Sequence, residues 1–331
     1  MDKITCLGCG LVGEFVARHL RDAGYVVTGV DLTDPEIDGI EFVRKDALEF
    51  VKNSDADVFV NLLPGRIGDE VRPILIERGK KIVDLAFSAI DPTQYECKDA
   101  SLIWDVGIAP GLSNMLVAKA ERELGSLDEV TIKVGGNPRQ ADGIWSYMAP
   151  FSPSDVIEEY TRPARIVRNG KTVTVPALED RHFIDVEGEK MEAFLTDGLR
   201  SLIENVDAEN MAEYTVRWPG HIDKWLSFEG DESELIDAWK FNSQIPEFTW
   251  LEVMCKRGDD IRRWIVSDSG SNDGSSMART TGLVTAKCAI LMLENKFPHG
   301  VIAPEKLDKS FCNQIIEYLQ QNGVKITLHH R

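Results

Sequence analysis

Lys3-Ile-Thr-Cys-Leu-Gly8-Cys-Gly10-Leu11-Val12-Gly13-Glu-Phe-Val-Ala-Arg-His-Leu20 is the stretch whose reading decides the fold. A short apolar run ends in Gly8-x-Gly10-x-x-Gly13. Val16, Leu20 and Ala23 then recur at helical spacing, and Gly24 follows where a helix would stop. Strand, glycine turn and helix in that order give the pattern a mechanism. Gly8 permits a tight turn, Gly10 lets the backbone approach a pyrophosphate, and Gly13 lets helix and strand pack closely. The phosphates would rest on the free N–H groups of the helix N-terminus, at Leu11 and Val12, where the helix carries positive partial charge. A second apolar run, Tyr25-Val-Val-Thr-Gly-Val-Asp31, ends in an acid 18 positions beyond Gly13. That is near the spacing of a carboxylate that holds a ribose 2′-hydroxyl.

The rest of the chain sets bounds. Its 331 residues are enough for about two domains, and 43% hydrophobic with 28% charged residues is a globular composition. A net charge of −18 disfavours nucleic-acid and anionic-membrane partners. No apolar run is long enough for a bilayer span, and the first residues do not read as a signal peptide, so a cytoplasmic location is expected. Cys6 and Cys9 form a CxxC pair without a second pair at zinc spacing, and no HExxH, GxSxG or EF-hand loop occurs. No metal site is expected.

Up to about residue 110, strand and helix patterns alternate as in a doubly wound parallel sheet. Strands are expected at Ile4–Leu7, Val26–Val30, Glu41–Val43, Val58–Leu62, Ile82–Leu85 and Leu102–Val106. Helices are expected near Leu48–Val51 and across Val71–Arg78, with Pro73 in the first turn or at a kink. Ligands of such sheets sit outside the carboxyl ends of the strands. This directs attention to Asn61-Leu-Leu63-Pro64-Gly65, Asp84-Leu-Ala86-Phe87 and Asp105-Val-Gly-Ile-Ala109-Pro-Gly-Leu-Ser-Asn114. Each also reads as an ordinary strand–loop junction.

Beyond Leu127 the pattern changes to grouped strands. Arg165–Val175 is a hairpin around Asn169-Gly170, and Asp185–Met191 suggests another. Helices are expected near Asp197–Glu204, His221–Trp225 and Leu235–Phe241, and a weakly polar one over 277–293. The expected fold is therefore α/β, with an N-terminal Rossmann domain (residues 1–113) and an α+β domain on a mixed or antiparallel sheet (114–270). A C-terminal helical segment (271–331) is expected to pack back on the first domain.

Several motifs in this order resemble the saccharopine dehydrogenase-like family. They are the glycine turn, Leu63-Pro-Gly65, Gly107-Ile-Ala-Pro-Gly-Leu-Ser-Asn114, Phe151-Ser-Pro-Ser-Asp155 with Glu158–Arg165, Asp197-Gly-Leu-Arg200-Ser, Arg217-Trp-Pro-Gly-His221 and Ser275-Ser-Met-Ala278. The nearest likeness is to the short lysine 6-dehydrogenases. The resemblance implies a homodimer and assigns Gly8, Gly10, Gly13 and Asp31 to the dinucleotide. It places Asp46 and Ala47 on the adenine side, Leu63 and Pro64 beside the nicotinamide ribose, and Ala86 and Phe87 near substrate. It also sets Arg217 on a substrate carboxylate. Glutamate-forming saccharopine reductases carry an Asp where this chain has Ala109, which fits the lysine dehydrogenase pattern instead. Asp31 without an adjacent Arg favours NAD over NADP.

The expectation that follows is an NAD-dependent oxidation of L-lysine at its terminal amine. Arg217, with Arg200 or His221 as helpers, would hold the α-carboxylate, and Asp84 or Asp105 would serve amino groups or proton abstraction. Arg200 and Arg217 also read as ion-pair partners, His221 as a capping or core histidine, and Asp84 and Asp105 as turn caps. A saccharopine or carboxynorspermidine dehydrogenase and a non-catalytic NAD(H) sensor remain the rival functions.

Overall fold

The computed structural model of the chain describes residues 2–33, 37–88 and 90–331. The chain opens with β1 (Lys3–Leu7), α1 (Leu11–Asp22), β2 (Val26–Asp31) and β3 (Glu41–Arg44). It continues through α2 (Ala47–Val51), β4 (Val58–Asn61), α3 (Gly65–Glu77), β5 (Lys81–Asp84) and β6 (Ser101–Ile103). Next come α4 (Leu112–Leu124), β7 (Leu127–Pro138), α5 (Pro153–Thr161) and the hairpin β8 (Ala164–Arg168), β9 (Lys171–Val175). A second hairpin, β10 (His182–Val186) and β11 (Glu189–Leu195), precedes α6 (Leu202–Asn205), β12 (Ala208–Arg217), α7 (His221–Leu226) and α8 (Glu232–Ala238). The last elements are β13 (Glu247–Arg257), β14 (Asp260–Asp268), α9 (Ser276–Leu293), β15 (Gly300–Ile302), α10 (Lys309–Gln321) and β16 (Lys325–His330).

These elements form two compact units, Met1–Leu112 with Ala278–Leu307 and Ser113–Met277 with Asp308–Arg331. The first holds a seven-stranded sheet in the order β15-β6-β5-β4-β1-β2-β3, with every described pair parallel. Both faces of a parallel sheet are covered, so its strands read as apolar runs. Ile4, Leu7, Val30, Val58, Phe59, Val60, Ile82 and Val83 are buried accordingly. All six expected strands occur in the expected part of the sheet. β15 is an addition, because three residues are too few to show a period. Helix α3 starts at Gly65, well before the expected Val71, and Pro73 lies inside it rather than in its first turn. Its small leading residues Gly65 and Gly68, buried against the Phe87–Ala86 segment, carry little apolar periodicity.

The second unit holds a mixed sheet of nine strands, ordered β10-β11-β12-β7-β13-β14-β16, with β8 paired to β12 and β9. Only β12 and β7 run parallel; the other described pairs are antiparallel. Both expected hairpins form, with Asn169-Gly170 and Glu187-Gly188 at positive φ in their turns. β7 runs through Gly135-Gly136, because β13 pairs with it as far as Pro138. The helix expected over Asp197–Glu204 is reduced to α6. Asp197 is engaged by Arg165, and Arg200 takes a φ of 53°, which no right-handed helix accommodates.

The C-terminal segment expected as one piece is divided. Ala278–Leu307 belongs to the first unit, whereas Asp308–Arg331 belongs to the second, where β16 adds to the edge of β14. Among the described residues, no helix is long and apolar enough to cross a membrane.

Candidate functional site

Parallel register sets the first group of residues at one edge of the first sheet. Leu7 pairs with Val30 and with Asn61, and Asn61 with Asp84, so Gly8, Asp31, Leu62 and Leu85 all emerge at the same level. Gly8 has a φ of 90°, and a Cβ there would stand 2.9 Å from the Leu62 carbonyl oxygen. A Cβ on Gly13 would collide with the Gly8 carbonyl oxygen, which explains a glycine at the crossing of helix and turn. Gly10, the N-cap of α1, is different: a Cβ there would meet nothing within 4 Å, and no side chain caps the helix. The N-terminus at Leu11 and Val12 is thus left open to an anion.

Asp31 fixes this turn. Its Oδ2 accepts from the Cys9 amide at 2.7 Å, and its Oδ1 accepts from the Thr33 amide and hydroxyl at 2.9 and 3.0 Å. Burial works against the charge, but these hydrogen bonds outweigh it and hold the carboxyl below its ordinary range. Cys6 and Cys9 are buried free thiols, and burial pushes both upward, Cys9 to about 12. Asp46 caps α2 by accepting from the Glu49 amide at 3.2 Å, and Ala47 behind it is buried. Pro64 is the N-cap of α3, and Leu63 packs against the core under β4.

Asp84 sits at 0% exposure, with its oxygens taken by the Arg72 Nε at 2.6 Å, the Asn61 Nδ2 at 3.1 Å and the Ala86 amide at 2.9 Å. Burial pushes it upward against the pull of Arg72, whose own proton is held more tightly than usual. The geometry is that of a clamp between α3 and the end of β5. Phe87 supplies the carbonyl against which Gly65 packs. Asp105 is buried at a φ of 52° ahead of the Ala109-Pro110 turn, where the Gly107 amide donates to the Pro110 carbonyl at 3.0 Å.

The second group lies within the second unit. Alternation along β12 puts Glu213, Thr215 and Arg217 on one face, beside Phe194 of β11, and α5, α7 and α8 contribute to the core on that side. Arg217 is 3% exposed. Its Nε donates to the Tyr160 hydroxyl at 2.8 Å, its Nη1 to the Val216 carbonyl at 3.0 Å, and its Nη2 reaches Tyr147 at 3.5 Å. The guanidinium also lies 4.5 Å from the Tyr147 ring centroid.

His221, first residue of α7, makes two hydrogen bonds, Nδ1 to the Trp145 carbonyl at 2.9 Å and Nε2 to the Tyr160 hydroxyl at 3.0 Å. A carbonyl only accepts, so Nδ1 carries the proton and Nε2 accepts from Tyr160. Burial, then the Arg217 charge, lower the histidine to about 3, and it is neutral. Burial likewise raises Tyr147 to about 12 against the pull of Arg217.

Arg217 and His221 are therefore brought together through Tyr160. Arg200 is buried just ahead of α6. Sequence reasoning passed over Tyr160, Tyr147 and Glu159, the last of which lies 3.6 Å from Arg217. The alternating Glu213-x-Thr215-x-Arg217 was the available signal: polar residues at period two on an apolar strand. Among the described residues, no group of three or more His, Cys, Asp or Glu side chains could hold a metal ion.

The architecture defines a class: a parallel sheet with a glycine turn of dinucleotide-binding type, followed by a unit built on a mixed sheet. Residues 107–238 match the family described as Saccharopine dehydrogenase C-terminal domain. The whole chain is similar to an apo, histidine-tagged saccharopine dehydrogenase (L-Glu forming) from Saccharomyces cerevisiae. The two are 16% identical with a TM-score of 0.75, and the match covers 99% of this chain and 100% of that one. It is also similar to the C. glutamicum DAP dehydrogenase in complex with DAP, at 9% identity, a TM-score of 0.46 and coverage of 96% and 98%. A third similar structure is the WlbA (WbpB) dehydrogenase from Thermus thermophilus in complex with NAD and UDP-GlcNAcA, at 10% identity, a TM-score of 0.43 and coverage of 97% and 93%. Residues 107–238 thus match a saccharopine dehydrogenase C-terminal domain, and the chain as a whole shares the fold of the yeast enzyme.

Proposed function

We propose that the protein is an NAD-dependent dehydrogenase that oxidises L-lysine at its ε-amine to 2-aminoadipate 6-semialdehyde, releasing ammonia. The observation that carries the cofactor is the glycine turn with Asp31. The first turn of α1 is uncapped, the space above Gly10 is open, and the carboxylate beside it stays ionised. Those residues fit a pyrophosphate and a ribose diol, and a 2′-phosphate would meet the Asp31 charge. NAD, when bound, accepts hydride from the ε-carbon, and water hydrolyses the resulting imine. On the protein side, Arg217 offers guanidinium donors for the α-carboxylate, held in place by Tyr160 and by the neutral His221 behind it. His221 is a positioning residue here. Asp84, fully engaged with Arg72, acts as a support for the strand-end loop, and Asp105 is the proposed proton-transfer group. The resemblance adds a homodimer, and a cytoplasmic location is part of the same proposal.

The matched domain also favours a second reading, reductive condensation of an aldehyde with an amino acid as in saccharopine formation. Ala109 argues for the first, since that chemistry uses an Asp there in the reductases the chain resembles. The test mixes purified protein, L-lysine and NAD at alkaline pH and follows NADH absorbance. NADH formation supports lysine oxidation. Its absence, with consumption of NADH or NADPH in the presence of 2-aminoadipate 6-semialdehyde and glutamate, overturns it in favour of the second reading.

A further inference from the structure

The Arg217 surroundings are not internally complete. A guanidinium has five N–H donors. Nε and one Nη1 hydrogen of Arg217 are well used, and the reach of Nη2 to Tyr147 is a marginal 3.5 Å. Beside it, Glu159 Oε1 accepts from the Thr215 hydroxyl, whereas Oε2 is buried without a hydrogen-bond partner and 3.6 Å from Nη2. The Asn137 Oδ1 is likewise buried and unpaired, on an amide that shares the Val216 carbonyl with Arg217. Spare donors and spare acceptors side by side at such burial are uncommon in a finished core.

Glu159 is also tied to a second carboxyl. Four side chains form a chain of oxygens: Glu213 to Thr196 at 2.5 Å, Thr196 to Thr215 at 2.9 Å, and Thr215 to Glu159. Those three contacts need three protons, and two hydroxyls supply two. The third belongs to a carboxyl. Glu213 is fully buried, and Gly198 leaves space for its carboxyl, where a Cβ would overlap it. Glu159 retains partial solvent access, at 18% of its side chain. Burial therefore places the proton on Glu213, and the Thr215 hydroxyl at the other end of the chain donates to Glu159.

We infer that Arg217 and Glu159 together form a receptor for the zwitterionic head of an α-amino acid, with Arg217 on the carboxylate and Glu159 Oε2 on the α-ammonium. This rests on the proposed dehydrogenase reading for Arg217 and adds a requirement for the free α-amino group. The ligand brings two oxygens to the spare guanidinium donors and three N–H donors to the spare carboxylate oxygen. It satisfies both at once.

The test is calorimetric binding to the full chain of two ligand pairs that differ only in the α-amino group: L-lysine against 6-aminohexanoate, and L-norleucine against hexanoate. The wild type should prefer the amino acid in each pair by about 10- to 100-fold, the worth of a buried charge-assisted hydrogen bond. Glu159→Gln, which keeps the size and the Thr215 contact, should bind both members of a pair equally. A ratio within one preparation does not depend on the fraction folded. Equal affinities in the wild type, a preference that survives Glu159→Gln, or binding of neither member would each overturn the inference. If the α-amino preference is present and lost in the variant while lysine is not oxidised, the head site stands and the lysine reading falls.

Discussion

Glu213→Gln should stabilise the protein at alkaline pH and leave it unchanged near pH 5. In the native state burial raises the Glu213 carboxyl from 4.5 to about 8, against its hydrogen bonds with Thr196 and the Gly198 amide and with the help of the nearby Glu159 and Asp197. Asp197 is itself neutralised by Arg165, so the dominant cause is desolvation. The sign follows from proton counting. Between 4.5 and about 8 the folded chain holds a proton that the unfolded chain has released, so stability falls as pH rises through that window and is level above it. Each tenfold change in proton affinity is worth about 1.4 kcal/mol, so the native glutamate costs on the order of 5 kcal/mol at pH values above the window. A glutamine is neutral throughout, donates to Thr196 and accepts from Gly198. Urea unfolding followed by tryptophan fluorescence at about pH 5 and about pH 8.5 measures the difference. The variant should gain several kcal/mol relative to wild type at the higher pH only. An equal offset at both values, or a loss at the higher one, would refute the argument that Glu213 carries the proton of the threonine chain.

Three other outcomes are expected. Gly10→Ala should melt within about 1 °C of wild type but bind NADH at least about tenfold more weakly. Gly13→Ala should lose about 1–3 kcal/mol of stability, because its Cβ would meet backbone; fluorescence titration and thermal melts separate the two. Asp84→Asn leaves the buried Arg72 with Asp69 as its remaining carboxylate, so it should cost about 1–3 kcal/mol while turnover per folded molecule is kept; lost turnover at unchanged melting temperature would restore a catalytic Asp84. His221, lowered to about 3, should contribute no inflection to kcat/KM between about pH 5 and about pH 8, and an inflection there that His221→Gln removes would contradict its buried, neutral state.

The parallel half of the fold was legible because its strands are buried on both faces and its turn is punctuated by glycines with separate tasks. The second half was legible where turn chemistry is local, as at Asn169-Gly170. It was not legible where pairing is long-range: β16 is marked only by its register with β14, and β15 by three residues beside β6. The turn formed by Gly8, Gly13 and Asp31 could be read because the spacing of those residues is what lets strand, turn and helix pack. Tyr160 and Glu159 lie on α5, brought to Arg217 by packing of a helix that begins at Pro153, and no periodicity links a helix to the strand it covers. Residues such as Asp84 misled for a different reason. A carboxylate at a strand end carries the same letter whether it faces a ligand or a guanidinium.

That ambiguity is resolved by counting hydrogen bonds at the two buried arginines. Arg72 gives Nε to Asp84 at 2.6 Å and Nη1 to Asp69 at 2.6 Å, and Asp84 in turn accepts from Asn61 and Ala86. Such a pair is closed, and a ligand could enter only by displacing bonds already made. Arg217 has the same burial but meets its carboxylate at 3.6 Å without a hydrogen bond, while that carboxylate keeps a bare oxygen. Leaving a buried polar group unpaired costs about 1–3 kcal/mol, and such a cost is offset when a ligand supplies the partner. The two sites therefore respond oppositely to a bound amino acid. A charge-neutralising change at Asp84 should shift unfolding with or without lysine present. Glu159→Gln should instead reduce the stabilisation that saturating lysine confers, since a ligand stabilises only in proportion to its occupancy of the native state. If Glu159→Gln were stabilised by lysine as strongly as the wild type, the open geometry at Arg217 would have to be read as structure after all.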